Sequence, residues 1–288
     1  MKVAFLLFLA CCSFGSPALA GFVVLGDGTK MHYEEAGTGE TILLLHGFAA
    51  SSSSWSAAIP ALAHGHHVLA PDMPGFGFSD KPDVEYGNDL FVAATHEFLE
   101  KMGIARAILV GNSMGGGIAV QYVRKYPEQV SRLVLIDTAG VAEGFNTYQT
   151  LFKLIFNPLT EILPPNRTMV GLILKDVLYH DAGKVTASQI DQYYRPYTTA
   201  GAMRAATKTM DSFSGHFPES DFTGIGVPTL ILWGANDRIF PVDTSETLLR
   251  LIPHSKREIL SECGHTPQEE QPTGFLESLT RFLDSDTK

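Results

Sequence analysis

Cysteine is scarce: three residues in 288, and two of them, Cys11 and Cys12, fall in the first twelve. Beyond those only Cys263 remains, so the body of the chain can form no internal disulfide and its core must carry its own stability. A basic cluster is lacking too. The formal net charge is −10 and charged residues make up 18% of the chain, a balance poorly suited to nucleic acid or an anionic membrane surface. There is no internal repeat, no cofactor motif, and no low-complexity tract beyond the serines at 51–54. His64, His66 and His67 stand together without Cys or acidic partners at ligand spacing. They read as surface residues, and no metal site is expected.

The longest apolar stretch, Val3 to Phe14, is too short for an ordinary membrane span. Lys2 precedes it, and Ser16-Pro17-Ala18-Leu19-Ala20 follows in A-x-A form. That order predicts a secretory signal peptide over residues 1–20, cleaved after Ala20, and a secreted or periplasmic product without stable membrane insertion.

What the chain has instead is an alternation of short apolar runs with helical periodicities. Phe22–Leu25 and Lys30–Tyr33 flank Gly26-Asp27-Gly28-Thr29 and predict an antiparallel hairpin. Thr41–Leu45 reads as a strand buried on both faces, His67–Ala70 and Ala107–Val110 as buried strands, and Ser131–Asp137, Val227–Trp233 and Lys256–Leu260 as further strands. Helical segments over Ser56–Ala63, Asn88–Met102, Ile118–Val123, Thr244–Leu251 and Thr273–Leu283 fall among them. Such alternation predicts an α/β fold with a mainly parallel sheet and its active edge at the strands' C-terminal ends. Residues 141–222 break the pattern. They hold short amphipathic segments (Tyr148–Phe156, Met169–Tyr179, Ala187–Tyr194, Gly201–Phe213), interrupted by Pro158, Pro164-Pro165 and Pro196, and dense in aromatics and methionine. They predict a helical cap inserted between core segments 21–140 and 223–288, with some of its rings lining an apolar pocket.

Gly111-Asn112-Ser113-Met114-Gly115 joins the apolar run Ala107–Val110 to a helix. This G-x-S-x-G places a serine at the tip of a tight turn, where Gly111 and Gly115 remove side chains that would clash. Ser113 is then a nucleophile at a helix N-terminus. A serine hydroxyl needs a base, and the base needs a carboxylate to orient it. Asp237 follows the Val227–Trp233 run and His265 follows the Lys256–Leu260 run, in the order Ser…Asp…His. His46-Gly47-Phe48 follows an earlier strand. The backbone N–H groups of Phe48 and Met114 are the candidate oxyanion hole. His46 itself reads as structural, and Asp72 as a carboxylate that bonds loop N–H groups. Asp137 is the alternative acid, more readily a loop cap.

The motifs His46-Gly47-Phe48, Asp72-x-Pro-Gly-x-Gly-x-Ser79, Gly111-Asn112-Ser113-Met114-Gly115-Gly116 and the Asp237 and His265 loops together resemble the α/β-hydrolase-fold enzymes with a helical cap. The resemblance implies the triad Ser113, Asp237 and His265. Serine at 113 separates the chain from relatives similar to haloalkane dehalogenases and epoxide hydrolases, which use an aspartate nucleophile. It implies a carboxylesterase or lipase acting on a small-molecule ester with an apolar acyl group and needing no cofactor. The alternative is a carbon–carbon bond hydrolase of ring-fission diketo acids, which Gly-Asn-Ser-Met-Gly-Gly and Trp-Gly-x-x-Asp-Arg-x-x-Pro resemble. Thr266 departs from the aromatic residue those enzymes carry after Gly-His. Arg195 or Arg204 could hold a substrate carboxylate in that case. A non-catalytic binding relative is the reading from another class. Cys263 reads as an inert thiol, and Asn166-Arg167-Thr168 is a glycosylation acceptor only in a eukaryotic secretory path.

Overall fold

The computed structural model describes residues 19–141, 155–156 and 165–285. The expected signal peptide through Ala18 and the cap aromatics Phe145, Tyr148 and Phe152 lie outside them. Eight strands form one sheet in the order β1-β2-β4-β3-β5-β6-β7-β8. They are β1 (Leu19–Val24), β2 (Lys30–Ala36), β3 (Glu40–Leu45), β4 (His66–Pro71), β5 (Ala107–Asn112), β6 (Val130–Ile136), β7 (Thr229–Gly234) and β8 (Ser255–Leu260). The β1–β2 hairpin and the β2–β4 pair are antiparallel, and every other pairing is parallel. The expected α/β fold with a mostly parallel sheet is therefore the observed one.

The core explains why the central strands are apolar throughout. Side chains alternate across a strand. Leu43, Leu45, Leu109, Leu133, Leu135, Ile231 and Trp233 enter one apolar layer, with Phe98 and Ile118 from helices packed there. Ile42, Leu44, Ile108, Val110, Val134, Ile136, Leu230 and Leu232 enter the other, against Trp55, Phe275 and Leu279. With both faces covered, the central residues of β3, β5, β6 and β7 do not alternate toward water, while Glu40, Ser131 and Arg132 near the strand starts are less buried. The helices doing the covering are α1 (Asn88–Lys101), α2 (Met114–Lys125), α6 (Asp243–Leu251) and α7 (Pro272–Leu283).

Between β6 and β7 the described chain is helical, with α3 (Arg167–Ile173), α4 (Ala187–Tyr197) and α5 (Ala202–Ser212). Asn166 caps α3, its Oδ1 accepting from the Met169 N–H at 3.0 Å. Thr186 and Gln189 form a reciprocal capping box at the start of α4. Pro196 does not break the chain, contrary to expectation. It is the penultimate residue of α4, so its ring removes one helical hydrogen bond just before the helix ends at Tyr197. The helix expected over Ser56–Ala63 is reduced to Ile59–Leu62, because 51–55 form a tight turn capped by Ser51.

Close backbone packing at the C-terminal edge of the sheet fixes which glycines are obligatory. A Cβ on Gly115 would lie 2.1 Å from the Leu45 carbonyl oxygen, whereas one on Gly65 would meet nothing within 4 Å. Gly115→Ala should therefore lose about 3 kcal/mol or more, and Gly65→Ala should be close to neutral. Urea unfolding of the two variants beside the parent checks both.

Candidate active site

Ser113 ends β5 and begins α2 with φ 55° and ψ −117°. This is a strained conformation for a residue with a side chain. The surrounding backbone enforces it: the Ser113 N–H donates to the Ile136 carbonyl at 2.9 Å, and the Ser113 carbonyl accepts from Gly117 and Ala139 N–H at 3.1 Å each. A Cβ on Gly111 would meet the Gly115 carbonyl oxygen at 2.4 Å, and one on Gly116 the Thr138 hydroxyl at 2.1 Å. Met114 is the first residue of α2, so its N–H has no partner within the helix.

Asp237 and His265 are brought together from the loops after β7 and β8. His265 Nδ1 bonds Asp237 Oδ2 at 2.8 Å. Asp237 Oδ1 accepts from the N–H groups of Ile239 (2.7 Å) and Phe240 (3.2 Å), which fixes its plane. The Phe240 ring lies 5.5 Å from the imidazole. Both partners are buried. Ser113 and His265 face one cleft, lined further by Phe48, Met114, Tyr193, Met210, Phe213 and Phe240.

His46 takes the structural role expected of it. Its Nδ1 contacts the Gly47 carbonyl at 2.8 Å, its Nε2 accepts from the Met73 N–H at 3.0 Å, and burial lowers its pKa. Asp72 accepts from Ser52 N–H (2.6 Å) and Phe78 N–H (2.7 Å) and contacts His32 Nδ1 (2.9 Å). Burial pushes its carboxyl up, but those bonds and the nearby imidazoles outweigh it and hold the carboxyl below the usual range. Phe48 leads into Ala49, whose φ is 64°. Ala49, Ser113 and Asp137 are non-glycine residues at positive φ, and each adjoins this site.

Asp137 does not bond His265. Its Oδ1 accepts from the Gly234 N–H at 3.0 Å, and it packs behind Asp237. Arg195 and Arg204 are not among the described residues lining the cleft; Arg204 pairs with Asp83 at 3.5 Å. His64 and His67 bond neighbouring groups at the surface, the latter with Glu35 at 2.7 Å. Burial raises the Cys263 thiol well above its usual range, so it carries no thiolate at neutral pH.

Several site residues escaped sequence reasoning. Asn112 Nδ2 donates to the carbonyls of Ile136 (3.2 Å) and His265 (3.0 Å), clamping the nucleophile turn to the histidine loop. Glu270 accepts from the N–H groups of Gly264 (2.7 Å), His180 (3.0 Å) and Asp181 (2.8 Å). The His265 N–H donates to the Leu178 carbonyl at 2.7 Å. The histidine loop is thus held from above by the helical insertion. Glu269 is the neighbouring tie: Tyr193 Oη and Tyr179 Oη both donate to its carboxylate. No spacing rule relates residues so far apart; only the E-E pair after Gly-His was visible.

A strained serine facing a buried histidine–carboxylate pair, at the C-terminal edge of a parallel sheet, defines a hydrolase of the α/β class. The chain belongs to the alpha/beta hydrolase fold family, which matches residues 40–272. It is 33% identical to a 2-hydroxy-6-oxo-6-(2'-aminophenyl)hexa-2,4-dienoic acid hydrolase of Metapseudomonas resinovorans, over 90% of this chain and 89% of that one. It is 30% identical to a 2-hydroxy-6-oxo-2,4-heptadienoate hydrolase of Pseudomonas putida, over 91% and 96%. Among solved structures it is similar to a membrane phospholipase A described as a bacterial virulence factor, with TM-score 0.80 and 29% identity over 93% of this chain and 86% of that one.

Burial raises the Glu269 carboxyl to about 7 from an ordinary 4.5, although both tyrosine bonds pull the other way. The folded chain therefore keeps a proton that the unfolded chain releases. The stability this supplies is complete below 4.5 and is lost as pH rises through about 7. The whole shift corresponds to about 3 kcal/mol, and partial solvent contact of the residue screens it toward about 2. Glu269→Gln should flatten this dependence, gaining on the parent between pH 4.5 and 8. Thermal unfolding across that range tests it.

Proposed function

We propose that this hydrolase acts through nucleophilic attack by Ser113 on a substrate carbonyl. His265 takes the hydroxyl proton and later passes it to the leaving group. Asp237 fixes the imidazole tautomer and stabilises the imidazolium. The N–H groups of Phe48 and Met114 receive the oxyanion. The observation that carries this reading is the 2.8 Å contact between His265 Nδ1 and Asp237 Oδ2, in a cleft shared with a strained Ser113.

For the bond that breaks, the named relatives give more support to carbon–carbon hydrolysis than to the ester hydrolysis expected from sequence. Two relatives aligned over nine-tenths of the chain are named as hydrolases of 2-hydroxy-6-oxo dienoates. On that reading the 6-oxo carbon becomes the acyl carbon, and the departing carbon takes the proton from His265. One observation keeps the ester reading as a second one. The described lining of the cleft has phenylalanines, methionines and Tyr193 but no lysine or arginine to meet a substrate carboxylate. The phospholipase A neighbour is in keeping with it.

The deciding experiment gives the same preparation a 2-hydroxy-6-oxo-6-phenyl dienoate and a series of p-nitrophenyl esters from acetate to palmitate. Faster turnover of the dienoate supports the first reading, and turnover confined to the esters supports the second. Ser113→Ala should abolish either, by a factor on the order of 10⁶ in kcat. Equal turnover by that variant would remove the nucleophile assignment.

We also propose that the chain is exported and cleaved after Ala20. Cleavage there removes Leu19 and Ala20 from β1 but leaves Gly21–Val24 paired with β2. Intact-mass measurement of the protein from an exporting host should give a mature chain beginning at Gly21. A mass retaining residues 1–20 would contradict the proposal.

A further inference from the structure

The acid of the proposed site does not stand alone. Behind Asp237, on the side away from the cleft, lies a second carboxylate, Asp137, at the C-terminal end of β6. It is fully buried, with φ 43°. Oxygens of Asp137 and Asp237 and a ring nitrogen of His265 all lie within 4.8 Å of one another. Asp137 Oδ1 accepts from the Gly234 N–H, but its buried Oδ2 meets no donor among the described residues. The nearest acid is Asp237, one of whose carboxylate oxygens lies within 4.8 Å of an Asp137 oxygen. Two acceptors can bond only if one carries a proton, and two carboxylates this close in a dry site do not both ionise.

The donors around each acid decide where the proton sits. Asp237 receives the Ile239 and Phe240 N–H groups and His265 Nδ1, all of which favour its anion. Asp137 receives one N–H. The other groups near Asp137 supply no positive charge: Glu270 is acidic, and the Cys263 thiol stays neutral. We propose that Asp137 is a neutral carboxylic acid that donates from Oδ2 to the Asp237 carboxylate and so acts as a positioning residue for the Asp237–His265 pair. The two acids then carry one negative charge instead of two. Burial, and next the charge of Asp237, hold the Asp137 carboxyl well above the usual range, in agreement with the hydrogen bonding. The proton occupies a lone pair of Asp237 and leaves the one directed at His265 as the free acceptor. This role rests on Asp237 being the acid of the proposed function.

The test uses the full chain and Asp137→Asn, Asp137→Ala and Asp237→Asn. The readout is the rate at which a fluorophosphonate probe labels Ser113, which needs no knowledge of the natural substrate. An asparagine amide can donate to Asp237 but cannot ionise. Asp137→Asn should label near the parent rate, and Asp137→Ala should fall roughly 10–100-fold, as when a bonded partner of an active group is deleted. Asp237→Asn should fall on the order of 10⁴-fold. Infrared difference spectra between parent and Asp137→Asn, taken well above pH 7 where Glu269 is ionised, should show a protonated-carboxyl band in the parent that the variant lacks, a signature that stands if the alanine variant fails to fold. Loss in Asp137→Asn as deep as in Asp237→Asn would overturn the proposal, because it would require an Asp137 anion. Parent-like labelling by a folded Asp137→Ala, or absence of the band from the parent, would overturn it as well. Parent-like labelling by Asp237→Asn would instead refute the acid assignment on which it rests.

Discussion

Every part of this site depends on backbone approaching backbone more closely than a side chain allows. A Cβ on Gly115 would meet the Leu45 carbonyl oxygen at 2.1 Å, and one on Gly234 the Gly264 carbonyl oxygen at 2.0 Å. One on Gly264 would meet the Leu178 carbonyl oxygen at 2.3 Å. The first approach docks α2 against β3 and sets Ser113 beside the Gly47–Phe48 turn. The second brings the loops of Asp237 and His265 together. The third presses the histidine loop against the helical insertion. Three chain segments far apart in sequence meet at one edge because three positions lack side chains. The strain at Ser113 is affordable since Ile136, Gly117 and Ala139 hold the residue on all sides.

The same edge concentrates acids, and the number of donors each one meets separates their behaviour. Asp72 gathers two N–H groups and His32, and its carboxyl is held low despite full burial. Glu270 gathers three N–H groups and ties the histidine loop to the insertion. Glu269 has two phenolic donors, too few to offset burial, and is raised to about 7. Asp137 has one N–H and a carboxylate neighbour, and is held well above the usual range. Burial is similar at Asp72 and Asp137, and the number of donors accounts for their opposite shifts.

That count also marks where sequence reading stops. Strands β3 to β7 were legible to within two residues, since burial on both faces forces largely apolar runs, and β8 was legible too although it is only half-buried. That Ser113, Asp237 and His265 would meet at one sheet edge was legible because each follows a strand, in an order tied to one fold. Asn112, Glu269 and Glu270 were not. Glu270 reaches His180 across 90 residues and Asn112 reaches His265 across 153, and no local pattern encodes a contact at that range. Asp137 was visible as a carboxylate after a strand, but its relation to Asp237 needs the register of β6 against β7, which pairs Ile136 with Leu232. Pro196 misled for the opposite reason: proline signals a break locally, and its place in a final turn depends on what packs around it.

Relatives and cleft draw the substrate in different directions, and the chemistry that the two readings share explains why both are possible. Attack on a carbonyl, an oxyanion between two N–H groups, and a proton returned to whatever leaves are common to ester and ketone cleavage. Only the leaving group and the groups that bind it differ, and those are met by the cleft walls and not by the catalytic loops. Thr266 stands at that boundary. It directly follows His265 and lines the cleft, with its hydroxyl buried beside Tyr179. A ring at that position would fill space and offer only a π face. Threonine leaves that space open beside the base.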